Sequence, residues 1–337
     1  MSAPIRYLLA SIAICISAVT HAAAAATGSD SVPAATRGAA AVSGTYTTTA
    51  GEAKLAKIAS TPDRYVEVDG MRIAYRLFGK PGTRPLVLLQ RFRGTMDDWD
   101  PALLEPIARE RTVILFDSAG VGRSEGINPD SIKGMSDFAS DFIQALKLDS
   151  VDVLGFSMGG ITAQELALDH PAQIGRVIIA SASPGFVVDP PATPPKVWPA
   201  ASRPVNTDDD FLYLFFADSN SSQAAGRAHL DRLKLWPGSA SSSVSANSVR
   251  AQSRAIQSMF APQMSLLPRL SSMSQPVLIA DGMHDLLMPT HYSYAMAKAI
   301  PDAKLIVYAD AGHGFLFQYA SDFGAEIVKF LEATEAR

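Results

Sequence analysis

Cysteine is almost missing from this chain: Cys15 is the only one in 337 residues. It lies in an N-terminal segment that reads as removable, so the folded part has no disulfide and no cysteine nucleophile. That lack is compatible with an oxidising compartment but does not establish one. Charge is also sparse, 18% of residues against 47% apolar, with a net charge of −4 and no dense Lys/Arg run. A phosphate backbone would find no basic footprint here, so nucleic acid is not an expected partner. No H-E-x-x-H run or carboxylate cluster has metal-ligand spacing. Gly120 and Gly122 stand in a different context from a phosphate-cradling G-x-G-x-x-G. Neither a metal nor another cofactor is expected. Internal repeats and heptads are missing as well. What remains is the composition of a globular enzyme acting on a small molecule, long enough for one large domain or two modest ones.

The first 26 residues are separate. Arg6 precedes the apolar run Tyr7–Ile16, and small residues follow, ending in Ala22–Ala26. One positive charge, a short apolar stretch and alanines suited to signal peptidase read as a secretory signal over 1–26. The stretch is too short and badly flanked to span a bilayer. Ile14 is bulky where a lipoprotein site has a small residue before its cysteine. The expected location is therefore periplasmic or secreted, with no stable membrane span after cleavage. Residues 27–60, rich in Ala, Ser, Thr and Gly, read as a low-complexity linker with a short helix around Glu52–Ala59.

From Tyr65 the texture changes. Tyr65–Val68 and Arg72–Phe78 flank Asp69-Gly70, the pattern of two strands joined at a tight turn. Short apolar runs follow at Leu86–Leu89, Thr112–Phe116, Val151–Leu154, Val177–Ala180, Val277–Ala280 and Leu305–Tyr308. Uninterrupted β-rich runs suit parallel strands covered on both faces. Between them, Phe138, Phe142 and Leu146 mark a helix over Ser136–Leu148, and Phe323, Ile327, Phe330 and Leu331 mark another. Strands alternating with helices imply an α/β, doubly wound, mostly parallel sheet. One interval breaks the alternation with proline and helical pieces at Asp209–Ala217, Gln223–Leu235 and Ser248–Met259. The expected organisation is a core of residues 61–185 and 270–337, with an inserted, mainly helical lid over 186–269.

Gly155-Phe156-Ser157-Met158-Gly159 is a G-x-S-x-G run, preceded by a strand and followed by a helix and a second glycine, Gly160. A bare G-x-S-x-G can be a mere connecting turn. In strand–turn–helix context it is a nucleophile elbow. The tight turn strains the serine backbone, and residues larger than glycine at 155 and 159 would collide with neighbours. In return, a hydroxyl is presented at a helix N-terminus, where negative charge is favoured. Serine is a weak nucleophile without a base. Six histidines are present, of which His21 would leave with the signal.

Together with Phe116–Ser124 after a strand and Asp169-His170-Pro171 closing the next helix, these marks make the chain resemble an α/β-hydrolase from Tyr65 to Leu331, apart from the insertion. The resemblance implies Ser157 as nucleophile and His313, just past the last strand, as base. His170 would instead pack or cap a helix end. His229 lies in the lid, His291 opens a helix, and His284 is solvent-facing or a loop contact. The orienting acid would be Asp285, with Asp281 its rival and Asp310 a turn residue. The oxyanion would take backbone N–H groups from Met158 and from Phe92. Here the chain departs from the family, which often has His-Gly where Gln90 and Arg91 stand. Arg91 and Arg93 either hold a substrate carboxylate or brace this loop by pairing with Asp97, Asp98 or Asp117, the second being the ordinary role of such charges.

The expected activity is hydrolysis of a carboxylic ester or lactone through an acyl-enzyme on Ser157. The same triad would also serve cofactor-free perhydrolase or haloperoxidase-like chemistry, carbon–carbon bond hydrolysis or small-peptide cleavage. A non-catalytic ligand-binding protein of the same fold is a further alternative. Serine rather than aspartate at 157 argues against chemistry resembling haloalkane dehalogenases and epoxide hydrolases. Phe211, Tyr213, Leu214, Phe215, Phe216 and Trp236 line an acyl pocket or form the lid's own core. Acyl preference and oligomeric state stay open, because one fold hosts many chemistries.

Overall fold

A computed structural model describes residues 50–237 and 243–333. The expected signal over 1–26 and the linker as far as 49 lie outside the described residues. The first half of the chain forms α1 (Ala50–Ala59), β1 (Arg64–Val68), β2 (Met71–Gly79), β3 (Leu86–Leu89), α2 (Pro101–Glu110), β4 (Thr112–Phe116) and α3 (Ile132–Ala145). Then come β5 (Val151–Phe156), α4 (Met158–Asp169), β6 (Ile174–Ala180), α5 (Val197–Ala201), α6 (Asp208–Phe215), α7 (Asn220–Leu233) and α8 (Ala246–Met259). The last elements are β7 (Val277–Gly282), α9 (Thr290–Ala299), β8 (Ala303–Tyr308), α10 (Phe315–Gln318) and α11 (Ala320–Glu332).

The eight strands form one sheet in the order β1-β2-β4-β3-β5-β6-β7-β8. β2 runs antiparallel to both β1 and β4, and all other neighbours are parallel. β1 and β2 meet at Asp69 and Gly70, both at positive φ (49° and 76°), as a two-residue hairpin turn requires. Successive side chains of a strand point to opposite faces. Leu86, Leu88, Leu154, Ile178 and Leu278 therefore pack with α2 and α11 on one face. Val87, Leu89, Val153, Ile179 and Ile279 pack with α3, α4 and α9 on the other. Each such side chain, removed from water, contributes about 1.5–3 kcal/mol before entropy is set against it. This is the doubly wound arrangement that the unbroken apolar runs imply.

α3 begins four residues before the apolar spacing suggests, because the Ser131 hydroxyl accepts the N–H of Gly134 and caps the helix there. The interval from 186 to 269 holds helices, short 3-10 turns and, at Val244, an isolated bridge to Val121. It reaches loops at the carboxyl ends of the strands, and Arg269 at its end pairs with Glu165 and Asp169 of α4. Ser248 Oγ donates to Gly120 O after β4, and Gly314 N–H after β8 donates to Phe215 O. Leu214, Phe215, Phe216 and Trp236 are buried in the first core, where Trp236 Nε1 donates to Trp99 O at 2.8 Å. These four side chains belong to packing, while Phe211 and Tyr213 are only partly buried.

Candidate active site

β5 ends at Phe156 and α4 begins at Met158, so Ser157 alone makes the turn, with φ 57° and ψ −118°. A serine held there stores local strain that the surrounding backbone must enforce. It does so with three bonds. Ser157 N–H donates to Ala180 O at 2.9 Å, and Ser157 O accepts from Gly160 N at 2.8 Å and Ile161 N at 3.2 Å. The glycines answer the expected crowding: a Cβ on Gly155 would strike the carbonyl of Gly159, and one on Gly159 would strike the carbonyl of Leu89. Ser157 itself is 7% exposed.

His313 lies in the loop between β8 and α10, and its Nδ1 is 2.7 Å from Asp285 Oδ2, both side chains being buried. The other oxygen, Oδ1, accepts the N–H groups of Leu287 and Met288, each at 2.8 Å. A carboxylate fixed in this way holds the proton on Nδ1 and leaves Nε2 as the basic nitrogen. Phe156, the residue before Ser157, lies with its ring 5.1 Å from the imidazole, so the elbow and the histidine pack together.

The rival acid Asp281 is fully buried and is occupied elsewhere. It accepts from Ser293 Oγ at 2.6 Å, Ser181 Oγ at 3.2 Å and Gly282 N at 2.8 Å. Burial, with the nearby Asp285 adding to it, pushes its carboxyl well above the usual carboxylate range. Asp310 sits in a turn and accepts from Ser221 Oγ. His170 ends α4 and lies 3.1 Å from Asp137, His284 is exposed, and His291 is at the start of α9.

In the loop after β3, Gln90 takes over work that its backbone neighbours would otherwise need. Its Oε1 accepts Arg91 N–H at 2.8 Å and its Nε2 donates to Thr95 O at 2.8 Å. Arg93 N–H donates to Gln252 Oε1 at 2.9 Å, and Gly94 N–H to Arg91 O at 3.0 Å. The N–H of Phe92 and that of Met158 donate to no acceptor among the described residues. These are the two groups expected to meet an oxyanion.

Both arginines are engaged by the protein. Arg91 Nη2 lies 2.8 Å from Asp98 Oδ1, the bracing pair expected of it. Arg93 corrects that expectation, because it meets carbonyls instead of a carboxylate: Arg203 O at 2.7 Å and Pro204 O at 2.5 Å, with Asn206 Oδ1 at 3.3 Å. The physical reason is prior occupation. Asp97 is held by Arg76 at 2.7 Å and Arg123 at 2.8 Å. Asp117 accepts Met96 N–H at 2.7 Å and Arg123 N–H at 2.9 Å. Burial lowers the Arg93 pKa from its ordinary value and Arg91 adds to this, while burial pushes the Asp117 carboxyl up to about 6.

Two groups near the site escaped the sequence reading. One is Gln252, reaching the loop from α8. The other is a buried cluster in which Asp100, the N-cap of α2, receives Arg232 at 2.6 Å and His229 at 2.7 Å. Partners so far apart in the chain leave no local pattern to find. Among the described residues, no group of three or more His, Cys, Asp or Glu side chains could hold a metal ion, and no helix is long and apolar enough to cross a membrane.

The alpha/beta hydrolase fold family matches residues 84–319. Among solved structures, the chain is similar to an alpha/beta hydrolase fold protein from Chitinophaga pinensis, with TM-score 0.74 and 36% identity, covering 82% of this chain and 99% of that one. It is also similar to Est816, described as an N-acyl homoserine lactone degrading enzyme, with TM-score 0.60 and 26% identity over 79% of this chain and all of that one (100%). A putative carbamate hydrolase, RutD, of Caulobacter sp. (strain K31) is 24% identical over 287 residues, 80% of this chain and 98% of its own length.

Proposed function

The chain belongs to the α/β-hydrolase fold family, and from that premise we propose that it is a serine hydrolase cleaving a carboxylic ester or lactone through an acyl-enzyme on Ser157. The observation that carries this reading is the buried His313–Asp285 pair, packed on Phe156 next to a serine in a strained elbow. Ser157 Oγ attacks the carbonyl carbon while its proton passes to His313 Nε2. Asp285 stabilises the imidazolium that forms. The N–H groups of Met158 and Phe92 hold the oxyanion where Ser157 is largely shielded from solvent, which strengthens such bonds. Collapse of the tetrahedral adduct expels the alcohol oxygen, which takes the proton from His313. Water then attacks the acyl-enzyme, giving its proton to His313, and the acid is released as Ser157 recovers the proton.

The similarity to a lactone-degrading enzyme supports the acyl class without deciding the acyl group. Arg91 and Arg93 serve this reading as braces of the oxyanion loop. The segment 1–26 directs export in this proposal, which places the enzyme in the periplasm or outside the cell. The test is a panel of esters and lactones, with and without hydrogen peroxide, run on wild type and Ser157→Ala, with fluorophosphonate labelling of separate samples of each. The proposal expects labelling and water-dependent turnover in wild type and neither in the variant. Turnover that survives in Ser157→Ala, or that requires peroxide, defeats it.

A further inference from the structure

His313 is flanked by Gly312 and Gly314. Glycine has the largest conformational freedom of any residue, so a histidine between two of them is poorly held by its own backbone. Helix α6 of the insertion supplies what the loop lacks. Phe215 is its last residue, and the carbonyl there has no partner within the helix. It accepts the N–H of Gly314 at 2.6 Å. The approach is close on both sides of the histidine: a Cβ on Gly312 would stand 2.9 Å from Phe215 O, and one on Gly314 would stand 3.1 Å from it. The Phe215 ring meets the imidazole edge-on, with centroids 5.1 Å apart and planes at 73°.

Helix α7 grips the same segment on either side. Ser221 Oγ donates to Asp310 Oδ2 and Ser222 Oγ to Gln318 Oε1, both at 2.6 Å. Farther along α7, Arg232 Nη2 donates to Phe317 O at 3.1 Å, and His229 stacks on the Phe317 ring at 4.1 Å. Both side chains are tied to buried Asp100 of the core. α6 and α7 are thus anchored below and bonded to the loop from Asp310 to Gln318.

We propose that Phe215 is a positioning residue for His313, and that the α6–α7 half of the insertion is a fixed support for the catalytic loop, not a flap that leaves it during turnover. The inference rests on the reading of His313 as the base. Its ring and carbonyl act together: the ring limits tilting of the imidazole, and the carbonyl end of the helix puts partial negative charge beside a ring that becomes a cation during reaction.

The test uses p-nitrophenyl acetate turnover and the rate and extent of fluorophosphonate labelling. Phe215→Ala should lower kcat by about ten- to a hundredfold, the scale of a misplaced catalytic group, with KM within about twofold. Labelling should slow by a similar factor yet still reach every folded chain. Phe215→Leu, which keeps more of the bulk while both variants keep the backbone bond, should lie between, about threefold down. A kcat for Phe215→Ala within twofold of wild type, at full labelling extent, overturns the inference. If Phe215→Ala does not fold, Phe215→Leu decides, and an unchanged kcat overturns it. Ser157→Ala and His313→Ala run alongside. Full turnover by either removes the reading underneath and the inference with it, whereas full turnover by Phe215→Ala alone removes only the inference.

Discussion

Arg91 lies 2.8 Å from Asp98 within its own loop, while its guanidinium carbon stands 5.3 Å from the centre of the Phe215 ring. One side chain therefore links the loop that carries the Phe92 N–H to the residue that packs on His313. The pair is only partly exposed, 12% and 26% for the two side chains, so solvent screens it less than a surface bridge. Arg91→Met should keep much of the packing and remove the charge. Turnover of a neutral ester should fall about three- to tenfold, with a stability loss of about 1 kcal/mol. Steady-state kinetics on a neutral and a carboxylate-bearing ester separate bracing from substrate binding. Bracing lowers both alike, whereas a selective rise in KM for the charged ester would assign Arg91 to the substrate.

Asp285 and Asp281 offer a sharper comparison. Asp285 is bonded to His313 and Asp281 to serine hydroxyls. Asp285→Asn should present the wrong imidazole tautomer and lower kcat by about 10³–10⁴. Asp281→Asn replaces a carboxyl that burial already drives toward its neutral form. It should keep kcat within about tenfold of wild type. Measuring both variants on one ester checks the assignment, and a reversed order would move the acid to Asp281.

Gly159→Ala tests the elbow. The added Cβ meets the backbone carbonyls of Leu89 and Gln90, which cannot move without disturbing β3 and the loop that follows it. A stability loss above roughly 2 kcal/mol is expected, the scale of overpacking at an unyielding site. Urea unfolding monitored by circular dichroism gives the value, and near-wild-type stability would contradict the geometry.

The buried carboxyl of Asp117 makes a pH prediction. Burial raises it to about 6 from 3.8, so the folded state holds a proton that the unfolded chain releases earlier. Its contribution to stability is full below about pH 4 and is lost as pH rises through about 6. Over that window the loss is on the order of 3 kcal/mol. Asp117→Asn, which cannot ionise, should remove this slope. Urea midpoints at pH 4, 5, 6 and 7 should show the variant gaining relative to wild type as pH rises. His229 works in the opposite sense, because burial lowers its pKa and its contribution is lost as pH falls below its ordinary value of 6.5. Its slope is common to both proteins and cancels in the difference.

Much of this was legible in sequence because the relevant physics is local. Unbroken apolar runs mark parallel strands, and every run read that way lies in the sheet; β8, at its edge, is only half-buried and not covered on both faces. G-x-S-x-G between a strand and a helix marks the elbow because Gly155, Ser157 and Gly159, within five residues, must satisfy one steric constraint. The start of α3 is not legible from the apolar stripe, because a polar cap, Ser131, sets it.

What tertiary structure alone decided depends on partners far apart in the chain. Sequence could name Asp281 and Asp285 together, and only the fold shows which carboxylate meets the His313 imidazole. Sequence could say that Arg91 and Arg93 had acids nearby, but not that Arg76 and Arg123 already hold Asp97, which leaves Arg93 on the carbonyls of Arg203 and Pro204. Nor could it tell that Phe215, read as either pocket wall or lid core, ends a helix whose last carbonyl closes on Gly314. Local patterns specify elements because backbone sterics and side-chain periodicity act within a few residues. Which charges pair and which loops are held depends on competition among groups that only folding brings within bonding distance.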